Sequence, residues 1–139
     1  MKKNSFTNSY KEVKTIYSGE FISAKFEQNI AFHTILGSCV AACLYDEKNK
    51  IFGLNHFMLT YDEERANGTP ISAKYGVHAM ELLINDMASK GANRNNLKAK
   101  VFGGASPLKS MKTSSVGTKN IDFILNFRKR EIKKKKINI

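Results

Sequence analysis

Short apolar runs broken by polar turns fill the first part of the chain, and a longer run with helical periodicity follows them. Segments 12–17, 21–24 and 30–36 are rich in β-branched and aromatic residues and predict strands. Segments 40–45 and 51–59 predict two more, paired as a hairpin through the turn-rich Asp46-Glu47-Lys48-Asn49-Lys50. Over 72–90, Val77, Met80, Ile84 and Met87 recur at helical spacing, Leu83 widens the stripe, and Gly91 supplies a C-terminal stop. Segment 97–102 alternates apolar and basic residues as a half-buried strand, and 120–130 predicts a second helix with Ile121, Ile124 and Leu125 inward. The charged stretch 61–70, which contains Gly and Pro, and the Ser/Thr-rich 106–118 read as loops. The pattern as a whole predicts an α/β fold of the α+β type: mostly antiparallel β-sheet layers packed with two main helices in a single compact domain.

Composition bounds this picture. With 139 residues, 42% of them hydrophobic and nine Phe, the chain can bury a real core but has no room for a second domain of ordinary size. The expected division is a domain over 1–130 and a basic tail over 131–139. No stretch approaches the roughly 18 apolar residues of a membrane span, and the N-terminus turns polar after Lys3 without the apolar core of a secretory signal. Two cysteines four residues apart make no disulfide framework, and no Cys/His set has zinc spacing, so neither a metal nor another cofactor is expected. A reducing, cytoplasmic location follows, which also keeps a thiol usable.

The net charge of +11 is concentrated rather than spread. Arg128, Lys129, Arg130 and Lys133 to Lys136 stand against the single acid Glu131. No basic helix is interleaved with aromatics, so no nucleic-acid partner is expected, and a lysine run of this kind is ordinarily a solvated tail. It can still attract an acidic protein surface or the anionic inner membrane face, an effect that salt weakens.

The candidate chemistry lies in two short segments, Thr34-Ile35-Leu36-Gly37-Ser38-Cys39-Val40 and Gly53-Leu54-Asn55-His56-Phe57-Met58. An unperturbed thiol titrates near ~8.5, so at neutral pH little of it is the nucleophilic thiolate unless a base or a positive dipole intervenes. A neighbouring imidazole takes the thiol proton and then returns one to the leaving group. A third polar group usually fixes the ring. The Thr34 hydroxyl is a candidate, since it can accept from the second ring nitrogen and select the useful tautomer. Cysteine is more often an inert small hydrophobe than a nucleophile, and Cys43 is read that way. His78, inside the predicted helix, is read as a core histidine. His33 competes as a base, but it neighbours Thr34, and in an extended segment only one of the two can face the thiol.

Beyond spacing, the run Leu36-Gly37-Ser38-Cys39-Val40-Ala41-Ala42-Cys43-Leu44-Tyr45-Asp46 followed by Gly53-Leu54-Asn55-His56-Phe57-Met58-Leu59 resembles the signature of CheD, the chemoreceptor glutamine deamidase of bacterial and archaeal chemotaxis. Two further blocks agree with it, Lys74-Tyr75-Gly76-Val77-His78-Ala79-Met80-Glu81-Leu82-Leu83-Ile84 and Leu97-Lys98-Ala99-Lys100-Val101-Phe102-Gly103-Gly104-Ala105. The resemblance implies Cys39 as nucleophile, His56 as base and Thr34 as third member. It implies deamidation of glutamine side chains on methyl-accepting receptor helices, hydrolysis of glutamate methyl esters there, and a CheC-type phosphatase as partner. The alternative it carries is a CheC-binding adaptor without turnover. Substrate contacts are expected from Gly37 and Ser38, whose backbone N–H groups are the nearest donors for an oxyanion, and from Asn55, Gly103 and Gly104. The glycine pair has two readings, a tight turn where a side chain would clash and a lining of the cleft. The family ordinarily continues into a Gly-rich segment and a closing hairpin, which are expected to be missing here.

Overall fold

The computed structural model describes residues 9–58, 71–105 and 125–126. Strands β1 (Glu12–Thr15), β2 (Phe21–Lys25), β3 (Ile30–His33), β4 (Val40–Asp46) and β5 (Ile51–Asn55) precede the helix α1 (Ile71–Ser89), and β6 (Lys98–Gly103) follows it. A four-stranded antiparallel sheet runs in the order β2-β5-β4-β6, while β1 and β3 pair in parallel as a separate two-stranded sheet. The α+β class with antiparallel sheet is therefore as expected, and α1 is the first of the two main helices expected. The parallel β1–β3 pair is not written in any hairpin pattern, because β2 leaves for the other sheet between the two strands.

Alternation along β4 and β5 explains why three layers form. Val40, Ala42 and Leu44 join Ile51 and Phe57 under Met80, Leu83, Ile84 and Met87 of α1. Ala41 and Leu54 point the other way and pack with Ile16, Phe32 and Leu36 of the two-stranded layer. A strand buried on both faces needs a near-continuous apolar run, which is what β4 carries. Leu44, Ile51, Leu83 and Met87 are fully buried, each contributing about 1.5–3 kcal/mol by burial. The helix is also tied to β2. Ser23 Oγ donates to Asp86, and Lys90 Nζ donates to Ser23 Oγ at 2.7 Å and to Asp86 Oδ2 at 2.9 Å. Gly91, at φ +107°, ends this segment in a conformation other residues rarely adopt.

Two expectations are corrected. His78 is exposed, because the buried stripe of α1 runs through Met80, Leu83, Ile84 and Met87, and residue 78 falls on the outward side with Leu82. Of the second helix expected at 120–130, only Leu125 and Asn126 are among the described residues; both are helical, and Leu125, expected inward, is exposed. The remainder of that helix, the loops at 61–70 and 106–118, and the tail at 131–139 lie outside the described residues. Among the described residues no helix is long and apolar enough to cross a membrane.

Candidate active site

The parallel β1–β3 register sets the first half of the site. Thr15 pairs with His33, Ile16 N donates to the His33 carbonyl at 2.9 Å, and Thr34 follows directly. The Thr34 hydroxyl donates to the Ile16 carbonyl at 2.8 Å, and Thr34 Oγ1 lies 2.7 Å from His56 Nδ1. Its only hydrogen is spent on Ile16, so Oγ1 can only accept from the ring. The ring proton thus sits on Nδ1, and Nε2 carries the lone pair.

His56 reaches Thr34 because of alternation in β5. Phe52, Leu54 and His56 share the face turned toward the two-stranded layer, while Asn55 faces α1. Only 6% of the His56 surface is exposed, and burial alone pushes its pKa below the usual histidine value of 6.5. Among the described residues Nε2 is buried and finds no hydrogen-bond partner. An orphaned acceptor of this kind costs about 1–3 kcal/mol, and such groups recur where chemistry needs an open lone pair.

Cys39 arrives from the other side of the same sheet. Val40 N donates to the Phe57 carbonyl at 3.0 Å and Phe57 N returns a bond to the Val40 carbonyl at 2.9 Å. The antiparallel register puts Cys39 opposite Met58 and His56 opposite Ala41, so the two are diagonal neighbours across the strand pair. Cys39 is two residues from Ala41, whose side chain is on the His56 face, and its thiol is free and half-buried. The loop that carries it is clamped by the end of β6. Gly104 N donates to the Cys39 carbonyl at 2.8 Å, and Ala105 N to the Gly37 carbonyl at 2.9 Å. Gly103 has φ +101°, and a Cβ there would stand 2.1 Å from the Cys39 carbonyl oxygen. The glycine pair thus abuts the backbone of the loop that carries Cys39, at a place where a side chain would clash. Gly37 is exposed and Ser38 half-buried in that loop.

Asn55, expected at the substrate, has only 1% of its surface exposed. Its Oδ1 accepts from Ala42 N at 2.9 Å and its Nδ2 donates to the Ala79 carbonyl at 3.4 Å, tying β4 and β5 to α1. Asn55→Ala strands the Ala42 N–H, so a loss of about 1–3 kcal/mol in the denaturant midpoint is expected, with turnover per folded molecule retained. A turnover loss in the folded fraction would return Asn55 to the substrate. His33 is exposed and its Nδ1 lies 3.5 Å from Thr15 Oγ1, away from His56. Cys43 lines a largely apolar groove of about 760 Å³ with Phe32, Phe52 and Leu54, and burial pushes its thiol pKa up against the opposing charge of Lys100. That groove is the larger concavity and touches Thr34, but His56 lines a different, smaller cleft of about 330 Å³ with Glu20, Met58 and His78. The smaller cleft is the one of the two that His56 itself lines. His78 was the residue that sequence reasoning missed there, although its i, i+4 relation to Leu82 on the outward stripe was a usable signal.

A family described as "CheD chemotactic sensory transduction" matches residues 58–138. The chain is 47% identical over 117 residues to "Probable chemoreceptor glutamine deamidase CheD 1" of Ruegeria sp. (strain TM1040), covering 84% of this chain and 59% of that protein. It is 47% identical over 120 residues to a protein of the same name from Dechloromonas aromatica (strain RCB), covering 86% and 58%. It is 46% identical over 117 residues to another from Shewanella oneidensis, covering 84% and 56%. The chain spans between 49% and 61% of the length of the curated relatives it matches.

Proposed function

The chain belongs to the CheD family, and from that premise we propose that it is a cysteine-dependent amidohydrolase that converts glutamine side chains of methyl-accepting chemoreceptors to glutamate. In this reading Cys39 thiolate attacks the side-chain carbonyl carbon, and the tetrahedral oxyanion is met by backbone N–H groups of the Gly37-Ser38-Cys39 loop. The C–N bond breaks as His56, carrying the thiol proton on Nε2, protonates the departing ammonia. Water, deprotonated by His56, then hydrolyses the thioester and releases glutamate. Glutamate methyl esters would follow the same path with methanol leaving. Receptor cytoplasmic helices as substrate put the reaction in the cytoplasm, and a CheC-type phosphatase is the partner the family reading brings.

The observation that carries this reading is the Thr34–His56 hydrogen bond, which leaves a lone pair on Nε2 with no other use. Ammonia release from receptor cytoplasmic fragments, with mass spectrometry of the product, tests it. A fragment that neither loses ammonia nor changes mass would overturn it. The second reading, a CheC-binding adaptor without turnover, is the one that result would leave standing.

Thr34→Ala is expected to lower kcat about tenfold, since the ring loses the acceptor that selects its tautomer, and general acid–base contributions of a positioned group run ~10²–10⁴-fold. An unchanged kcat would assign orientation of the ring to another group. The acid limb of the wild-type pH profile should lie below 6.5, because burial keeps His56 neutral under that value. Stability follows the same sign: as pH falls through 6.5 the unfolded chain takes up a proton that the native ring refuses, so stability declines until the lower native pKa is reached.

A further inference from the structure

The peptide unit between Ile16 and Tyr17 is held at both of its ends. Its carbonyl accepts from Thr34 Oγ1 at 2.8 Å, and its N–H donates to Glu20 Oε2 at 2.7 Å. The unit is planar, with C=O and N–H pointing in opposite directions, so a group that fixes the N–H also aims the carbonyl. Glu20 is thereby connected to the ring of His56 through one peptide and one hydroxyl. A second tie runs through the backbone: His56 N donates to the Glu20 carbonyl at 3.1 Å, and Gly19 N donates to the His56 carbonyl at 2.7 Å. Glu20 N donates to the Tyr17 carbonyl at 3.0 Å, so residues 17–20 close a tight turn, with Gly19 at φ +87° in the third place, where such a turn needs positive φ.

The direction of the Ile16 carbonyl decides what the Thr34 hydroxyl can do. While that carbonyl takes the hydroxyl hydrogen, Oγ1 offers His56 only a lone pair, and the ring proton stays on Nδ1. With the carbonyl turned away, the hydroxyl is free to donate to Nδ1, which moves the ring proton to Nε2 and leaves no base there. The bond from Tyr17 N to a carboxylate is charge-assisted, and it draws electron density toward the carbonyl oxygen at the far end of the same peptide, strengthening the acceptor that Thr34 uses. Burial alone lowers the pKa of His56, so the carboxylate reaches the ring through this peptide and not through its charge. The relay runs inward from solvent: Glu20 is exposed, Ile16 is buried, and so is the ring.

We propose that Glu20 is a positioning residue for His56: its carboxylate holds the Ile16–Tyr17 peptide so that Thr34 can only accept from the ring, which keeps the lone pair on Nε2. The effect on rate rests on the amidohydrolase reading of Cys39 and His56, whereas the effect on the tautomer rests on the hydrogen bonds alone. Glutamine at this position keeps an acceptor oxygen within reach of Tyr17 N and loses only the charge. Alanine leaves that N–H to water, which satisfies it without fixing its direction.

The test compares Glu20→Ala and Glu20→Gln, each alone and on the Thr34→Ala background, with thermal unfolding to check the fold. The tautomer is read by long-range proton–nitrogen correlation NMR of the His56 ring, assigned against His56→Ala, and kcat by ammonia release from a receptor cytoplasmic fragment. The wild-type ring is expected to carry its proton on Nδ1, and Glu20→Ala to populate the Nε2–H form. In Glu20→Ala kcat should fall about threefold, the factor that one exposed hydrogen bond in the lower part of the usual net range carries. Glu20→Gln should keep the wild-type tautomer and most of kcat. On the Thr34→Ala background Glu20→Ala should cost nothing further, because residues of one relay do not add. A wild-type tautomer or a wild-type kcat in Glu20→Ala, or a loss that persists in full on the Thr34→Ala background, would overturn the positioning role. Wild-type protein no more active than Cys39→Ala would overturn the amidohydrolase reading instead, and the tautomer in Glu20→Ala would then decide by itself whether Glu20 sets the ring.

Discussion

Cys39→Ala is expected to reduce ammonia release at least ~10³-fold, because the proposed thioester forms on its sulfur, while its unfolding transition stays near that of the wild type. The side chain is half-buried and truncation to alanine removes one sulfur atom, so little packing is lost. His56→Ala should fall comparably, since the same imidazole takes the thiol proton, protonates ammonia and activates water. Cys43→Ala is the control. Its thiol lies in an apolar groove where burial opposes the thiolate, and it should retain wild-type turnover. Activity surviving in Cys39→Ala but lost in Cys43→Ala would transfer the nucleophile to the second cysteine. Mass spectrometry separates the cases independently, because a thioester trapped at acidic pH is carried by the cysteine that attacked.

How much of this site was legible beforehand depends on the range of the contact. The hairpin that places Cys39 and His56 diagonally across one strand pair is local, and the apolar runs at 40–45 and 51–59 with their polar turn announce it. The face of β5 that holds His56 follows from simple alternation with Leu54. Thr34 could be named as a candidate partner of the ring but not placed there, because the contact depends on β1 and β3 pairing in parallel across an intervening strand, and no local pattern encodes such a crossover. Asn55 shows what strand parity adds: alternation turns its side chain to the helix, where Oδ1 accepts from Ala42 N, while the residue still lines the small cleft that His56 lines. For His78, an apolar neighbourhood in sequence suggested the core, whereas counting turns from Met80 and Leu83 puts it outside.

Gly103→Ala should be the most damaging substitution outside the reacting groups. Two separate penalties meet at this position. The first is conformational: φ +101° is rarely adopted by an L-residue, and strain of this kind amounts to about 1–3 kcal/mol. The second is steric: the new Cβ would meet the Cys39 carbonyl oxygen at 2.1 Å and the Val40 Cα at 3.3 Å, atoms of backbone that no rotamer change can move aside. Gly19 isolates the first penalty, since it has φ +87° with nothing within 4 Å of its Cβ position. Gly19→Ala is therefore expected to lose about 1 kcal/mol and Gly103→Ala about 3 kcal/mol or more, measured by denaturant unfolding. The excess must be relieved by moving the strand end away from residues 37–39. That breaks the Gly104–Cys39 and Ala105–Gly37 hydrogen bonds and changes the rate at which iodoacetamide alkylates Cys39 in the folded protein. Equal stability of the two variants, with unchanged alkylation, would mean that β6 does not press on the loop at 37–39, and the loop geometry would need another cause.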